Sequence, residues 1–279
     1  MKTLPLILFA FSAVLSAEAP TSAVPAVKLG STVFKWEDFT VKPMPNGQRR
    51  EVADLPTATF EKFESHITTL DPGKMSHPPH QHPREEFIVV KEGTIEVSLN
   101  GKVQRAGTGS VFFFAANDFH NMTNVGDTPA TYHVFNLTTS ATKSAPAGGA
   151  TAAAVPGKLV SAVFDWEKLE TKPTPTGARR EIVNSPTTTL ANVEAHVTTL
   201  NPGEMPHAGH RHPDEEIIIV KEGLMEATIN GVATRGGPGA IFFFGSNDEH
   251  GMKNVGPTAA TYHVIRIVAE ATPQLPKNE

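Results

Sequence analysis

Apolar residues fall in short runs along this chain, and each run is halted by residues that favour a turn. Ile67-Thr68-Thr69-Leu70 stops at Asp71-Pro72-Gly73, and Phe87-Ile88-Val89-Val90 stops at Lys91-Glu92-Gly93. Thr94 to Leu99 and Lys102 to Arg105 flank Asn100-Gly101, a dipeptide suited to a two-residue hairpin because both residues tolerate positive φ. Further runs extend from Ser110 to Phe114 and from Thr131 to Leu137. Only the stretches around Trp36 and Trp166 lack a clear period. Short strands at regular spacing predict an all-β fold, a sandwich or barrel.

The pattern occurs twice. Val33 to Leu137 aligns with Val163 to Ile267 at a constant offset of 130 residues without a gap, and about half the positions are identical. Shared segments include Arg49-Arg50-Glu51 with Arg179-Arg180-Glu181, and Asn100-Gly101 with Asn230-Gly231. Two copies of this length mean duplicated domains, not a solenoid. Within 279 residues, each copy is long enough to bury its own core. The boundaries expected are 31–139 and 159–270, joined by an Ala/Gly/Pro/Ser-rich linker at 140–158 and followed by a tail at 271–279. Before them, Lys2, the apolar stretch from Leu4 to Leu15 and the small residues that follow predict an export signal over 1–23. Its apolar run is too short to span a bilayer comfortably. The expected location is therefore periplasmic or extracellular, with no membrane association once the signal is removed.

Composition narrows the function. The net charge is −5 and the charges are scattered, so no basic face advertises nucleic acid binding. Cysteine is absent, which excludes disulfides, thiolate ligands and a cysteine nucleophile. Histidine is the informative residue. Two imidazoles stand two apart in His80-Gln81-His82-Pro83-Arg84-Glu85-Glu86, with a carboxylate four residues further on, and His120 follows later. The second copy repeats this with His210, His212, Glu216 and His250. On an extended strand, residues i and i+2 face the same way. Three neutral imidazoles and one carboxylate suit a divalent first-row metal and leave coordination positions open.

These residues resemble the cupin superfamily across both repeats. The family's first motif is matched by Gly73, His80, His82, Glu86 and Gly93, and by Gly203, His210, His212, Glu216 and Gly223. Its second motif is matched by Gly109, His120 and Asn124, and by Gly239, His250 and Asn254. Asn117 and Asn247 replace that motif's second glycine, and asparagine tolerates positive φ well enough to keep the turn. The resemblance implies two tandem jelly-roll β-barrels, a bicupin, with metal inside each. It implies that His80, His82, Glu86 and His120 hold one ion and His210, His212, Glu216 and His250 another. Up to two divalent ions per chain are expected, with Mn(II) or Fe(II) favoured. The adjacent Glu85 and Glu215 should point off the ligand face.

The family hosts many reactions, and the fold does not choose among them. The resemblance to bicupin oxalate decarboxylases is incomplete, because the Ser-Glu-Asn-Ser lid motif is missing. Thr69 and Thr199 are expected at the pocket wall, where that comparison would put an arginine for the substrate carboxylate. His77 and His207, three residues before the first ligands, are expected at the barrel mouth. The same alternation puts Glu64, His66, Glu194 and His196 on the outside. Arg50 and Arg180 are expected in surface ion pairs, and Phe112 to Phe114 in the core. The copies differ around their ligands: Phe119 becomes Glu249, Phe87 becomes Ile217 and Asn136 becomes Arg266. One site is therefore expected to do chemistry and the other to be partly structural. The leading expectation is an exported metal-dependent enzyme that oxidises, dioxygenates or decarboxylates a small polar organic substrate. The alternatives are a non-catalytic cupin binding a metal or small ligand, and a sugar isomerase or epimerase. A homo-oligomer is compatible with either.

Overall fold

The computed structural model describes residues 27–145 and 156–274. The export signal expected over 1–23 lies outside the described residues. In the first repeat the strands are β1 (Thr32–Phe34), β2 (Lys42–Met44), β3 (Gly47–Leu55), β4 (Lys62–Leu70), β5 (Glu85–Glu92), β6 (Thr94–Leu99), β7 (Lys102–Gly107), β8 (Val111–Phe114), β9 (His120–Asn124) and β10 (Ala130–Thr138). The second repeat follows with β11 (Ala162–Phe164), β12 (Lys172–Thr174), β13 (Gly177–Ser185), β14 (Asn192–Leu200), β15 (Glu215–Glu222), β16 (Met225–Ile229), β17 (Val232–Gly236), β18 (Ile241–Phe244), β19 (His250–Asn254) and β20 (Ala260–Val268). The hairpin turns sit where the Asn-Gly pairs predict them, with φ of 48° and 80° at Asn100 and Gly101.

Each repeat is an antiparallel jelly roll made of a seven-stranded sheet facing a three-stranded one. The larger sheets run β11-β8-β5-β10-β4-β3-β2 and β1-β18-β15-β20-β14-β13-β12, and the smaller ones β7-β6-β9 and β17-β16-β19. The first strand of each repeat is thus exchanged. β1 pairs with β18 of the second repeat, and β11 pairs with β8 of the first. Beyond the linker expected between the two domains, the structure joins them through a reciprocal strand swap. A three-residue strand carries too little pattern to announce its partner.

The exchange explains why the central strands read as unbroken apolar runs. Ile88, Val90, Phe112 and Phe114 face the barrel interior with Val134 and Met122. The opposite faces, with Phe63, Phe87, Val89, Phe113 and Phe135, pack on Ile217, Ile219, Phe243 and Ile265 of the other repeat. Phe63 and Phe243 meet with ring centroids 5.3 Å apart. A strand buried on both faces has no polar side to alternate with.

Polar plugs pin the same interface. Glu85 is fully buried and points off the ligand face as expected, into the β13–β14 loop of the other repeat. It accepts hydrogen bonds from Thr187 Oγ1, from the Thr188 amide at 2.9 Å and from Thr189 Oγ1 at 2.8 Å. Glu215 repeats this with Thr57, Ala58 and Thr59 at 2.6, 3.1 and 2.7 Å. Burial pushes both carboxyl groups up, against those hydrogen bonds. The stretches at Trp36 and Trp166, which showed no period, are single 3-10 turns. Arg50 and Arg180 are not in surface ion pairs: they lie over those indoles, 4.7 and 4.3 Å from the ring centroids. The described start of the expected linker is ordered too. Ser140–Ser144 forms a 3-10 turn with Thr142 buried, closed by hydrogen bonds between Thr139 and Thr142. The tail begins in the same manner, with Thr272 buried and bonded to the Ala269 amide.

Candidate metal centre

The loop before β5 and the turn before β9 bring the first repeat's histidines together. The stretch His80 to His82 is not a strand, as the i, i+2 argument assumed, but a loop with one bridge residue. His80 and His120 exchange backbone hydrogen bonds of 3.2 and 2.9 Å. The Asn117 amide donates to the His82 carbonyl at 2.7 Å, and Asn117 takes the positive φ, 62°, that the second motif requires. Asn247 does the same for His212. The outcome is the convergence expected, reached by a different backbone. The ligand atoms of His80, His82 and His120 all lie within 4.8 Å of one another, as do those of His210, His212 and His250. Phe114 stacks on His120 and Phe244 on His250, at 4.4 and 4.2 Å, so the triple-Phe runs are core strands that also wall the site.

Backbone carbonyls set the tautomers. Nδ1 of His82 contacts the Arg84 carbonyl at 2.8 Å, and Nδ1 of His120 contacts that of Asp118 at 2.9 Å. A carbonyl only accepts, so each Nδ1 carries a proton, which turns Nε2 of His82 toward Glu86 and leaves Nε2 of His120 as the free ring nitrogen in the cavity. His212 and His250 repeat both contacts. Nε2 of His120 and of His250 is buried without a hydrogen-bond partner among the described residues. Glu86 supplies the carboxylate: its Oε2 lies 3.1 Å from His82 Nε2 and 3.8 Å from His120 Nε2. Glu216 stands equivalently, at 3.1 and 3.9 Å. Three imidazole nitrogens and a carboxylate oxygen thus converge on one point, where a cation would accept all four. That donor set fits a divalent metal.

The charge states agree. Burial pulls His120 down to about 4, and His80, His210 and His250 below the usual imidazole range. Neutral imidazole is the form that ligates. Burial resists ionisation of Glu86, but the His82 hydrogen bond and nearby imidazoles hold its carboxyl below the usual range. His212 differs: burial opposes its charge, yet hydrogen bonds with Asp214 and Glu216 carry it up to about 9.

A cavity of about 900 Å³ opens onto the first site, and one of about 610 Å³ onto the second. His77 and His207 line these cavities as expected, their rings 4.0 and 4.4 Å from those of His80 and His210. The reading of β4 needs correction. Thr69 and Thr199 do not line the cavities; they face the other side of the sheet, bonded to Thr131 and Thr261 at 2.9 Å. The absence of an arginine at these positions therefore says nothing about the substrate. Glu64, His66 and Thr68 face the cavity instead. Both faces of β4 are buried, one in the barrel and one on the partner repeat, so alternation alone could not identify the lumen.

The inward row forms a connected network. His66 Nδ1 lies 2.7 Å from Glu64 Oε1, Arg49 donates to the same oxygen at 3.0 Å, and Asn136 donates to Oε2 at 2.5 Å. Burial opposes the charge of Glu64, but these partners bring its carboxyl down to about 2. An ionised Glu64 fixes the proton of His66 on Nδ1. Nε2 then remains as the ring's basic nitrogen in the cavity. Tyr132 lines the same wall, its phenol kept protonated by burial. Glu194, His196, Arg179 and Tyr262 repeat the arrangement.

The sites differ in their remaining charges. In the first, Arg84 Nε donates to Asn136 Oδ1 at 2.9 Å. In the second, the charges change places: Asp214 occupies the arginine's position, and Arg266 grips it from β20 at 2.8 and 3.1 Å.

The Cupin domain family model matches residues 66–136 and 196–266. No curated protein matches the chain. Among solved structures, a variant of Bacillus subtilis oxalate decarboxylase superposes with a TM-score of 0.64 at 15% identity, covering 88% of this chain and 79% of that one. The protein Ylba from E. coli gives a TM-score of 0.65 at 12% identity, covering 91% and 96%. AerE from Microcystis aeruginosa gives 0.61 at 15%, covering 82% and 98%. At such identities the likeness is one of fold.

Proposed function

The chain belongs to the cupin family, carrying two copies of its domain, and on that basis we propose that it is a metal-dependent enzyme acting on a small polar organic molecule. One observation carries this: the buried, unpartnered Nε2 atoms of His120 and His250 converge with two further imidazoles and a carboxylate. In the proposal Glu86 and Glu216 complete the ligand sets with His80, His82 and His120, and with His210, His212 and His250. Manganese or iron is the favoured ion. A divalent ion held by these residues would supply Lewis-acid or redox chemistry to a substrate in the cavity.

The chain's own residues do the rest. Nδ1–H contacts to backbone carbonyls hold the ligating rings in place, so the cluster costs little reorganisation when it binds. His66 accepts a proton at Nε2 from a hydroxyl or water in the cavity, and the carboxylate of Glu64 stabilises the imidazolium that results. The apolar wall of Ile88, Phe114 and Val134 behind the cluster limits water. Oxidation, dioxygenation and decarboxylation all use these parts, and the last has a fold precedent in oxalate decarboxylase. The proposal includes export, on the pattern of residues 1–23.

The test is elemental mass spectrometry of the purified protein, followed by oxygen-uptake and carbon dioxide assays over small carboxylates, catechols and sugars. One to two ions per chain with turnover supports the proposal. Protein that stays free of metal with all its histidines intact refutes it. Tight ligand binding without turnover points to a non-catalytic cupin.

A further inference from the structure

Each barrel holds an arginine beside its histidine cluster, but the two arginines are in opposite electrostatic states. Arg266 is spent: it makes two hydrogen bonds to Asp214, and that carboxylate contacts His212 Nδ1 at 3.2 Å as well. Arg84 is not. The only hydrogen bond of its guanidinium among the described residues is from Nε to the neutral amide oxygen of Asn136. No carboxylate among the described residues lies within ion-pair distance of it, while its side chain lines the first cavity. The other cavity arginine, Arg49, is consumed by Glu51 and Glu64 at 3.0 Å each. Two positions account for the contrast, Arg84 against Asp214 and Asn136 against Arg266. They leave the first site one unit of charge more positive than the second. The bond at Nε also orients the guanidinium, leaving both terminal NH₂ groups unengaged. That edge can form two parallel hydrogen bonds to a carboxylate.

We propose that the first repeat is the substrate site, that its substrate carries a carboxylate, and that Arg84 anchors this carboxylate while the metal holds another oxygen of the same molecule. The second repeat, with its arginine neutralised by Asp214, retains the metal without selecting an anion. The proposal rests on the metal-centre reading above and deepens it to a substrate class and a division of labour.

Malonate serves as the probe, with malonamide as its neutral control. Mn(II)-loaded full-length protein is titrated with each by calorimetry, and the Mn(II) paramagnetic resonance spectrum is followed in parallel. Wild type should bind one malonate per chain and discriminate against malonamide. Arg84→Ala should weaken malonate by about tenfold to a hundredfold, the range of one charge-assisted contact, with metal content unchanged. Arg84→Lys should recover part of the loss, which separates charge from packing. The double substitution Asp214→Arg with Arg266→Asn should create a second malonate site. Protein that holds metal but binds malonate equally with and without Arg84 overturns the anchor alone, as does equal binding of malonamide. Protein that holds no metal overturns both this and the metal-centre reading.

Discussion

Acid should loosen this protein through two histidines far from the metal ligands. His133 and His263 lie fully buried between the repeats. Each Nε2 donates across to the other repeat, to the Gly239 carbonyl at 3.1 Å and the Gly109 carbonyl at 2.8 Å. Each Nδ1 is buried with no partner. Protonation would place a second N–H at that buried nitrogen, with no accepting partner among the described residues at His263 and only the Val89 backbone near His133. Burial accordingly pulls both rings down to about 4, with Lys91 and Lys221 adding repulsion, and His263 adding to it at His133. A base with a lowered folded pKa leaves the unfolded state to take the proton first. Its contribution is complete above the unfolded value near 6.5 and is lost as pH falls from there to about 4. At pH 4 the loss is on the order of 3 kcal/mol per histidine, roughly 6 for the pair. That is comparable to the whole stability of an ordinary domain, about 5 to 15 kcal/mol. The variant His133→Gln/His263→Gln keeps a donor near each Nε2 position and cannot titrate. Urea unfolding of metal-free wild type and variant, at steps from pH 7 to pH 4, isolates the effect because every other group titrates in both. The wild type should lose several kcal/mol more than the variant over this range. Parallel curves would refute the reasoning.

Removing one proposed metal carboxylate at a time, by Glu86→Gln or Glu216→Gln, should lower metal content at that site only. Turnover should then fall far more for Glu86→Gln; equal losses would contradict a division of labour. Glu85→Gln should cost roughly 1 to 3 kcal/mol, because its NH₂ would replace the oxygen that accepts from the Thr187 and Thr189 hydroxyls, with no change in metal stoichiometry. Phe63→Ala opens a cavity in the core shared by the repeats and should cost about 3 to 5 kcal/mol. Both repeats should still melt in one calorimetric transition, and two resolved transitions would argue against a shared core.

Much of the fold was legible because duplication doubled every signal. The hairpins at Asn100 and Asn230, the positive φ of Asn117 and Asn247 and the clustering of the histidines all follow from local chemistry. What escaped was the direction in which β4 faces. Its even positions carry Glu64, His66 and Thr68 and its odd ones Phe63, Ser65 and Ile67, and both sets are buried or half-buried. The key was Phe63 and Ile67, apolar residues on the same parity as Thr69, which mark that side as the interface. The roles of Arg84 and Asn136 could be read only as a pair, since a substitution at one position has meaning through its partner 52 residues away. Strand exchange left no local trace.

That exchange sets an order on biogenesis. A chain is synthesised from its N-terminus, and domains ordinarily fold as they emerge. Here the first repeat cannot finish alone. When only residues up to 145 exist, β8 has no β11 beside it, β1 has no β18 to join, and Glu85 has no threonines to receive. Val111 to Phe114 then forms an uncovered apolar strand edge, the kind that templates aggregation. That edge can be covered once Ala162 to Phe164 has been made, while β1 waits longer, until Ile241 to Phe244 exists. The first repeat therefore completes its sheet only with strands made after it, so its final folding follows the synthesis of the second.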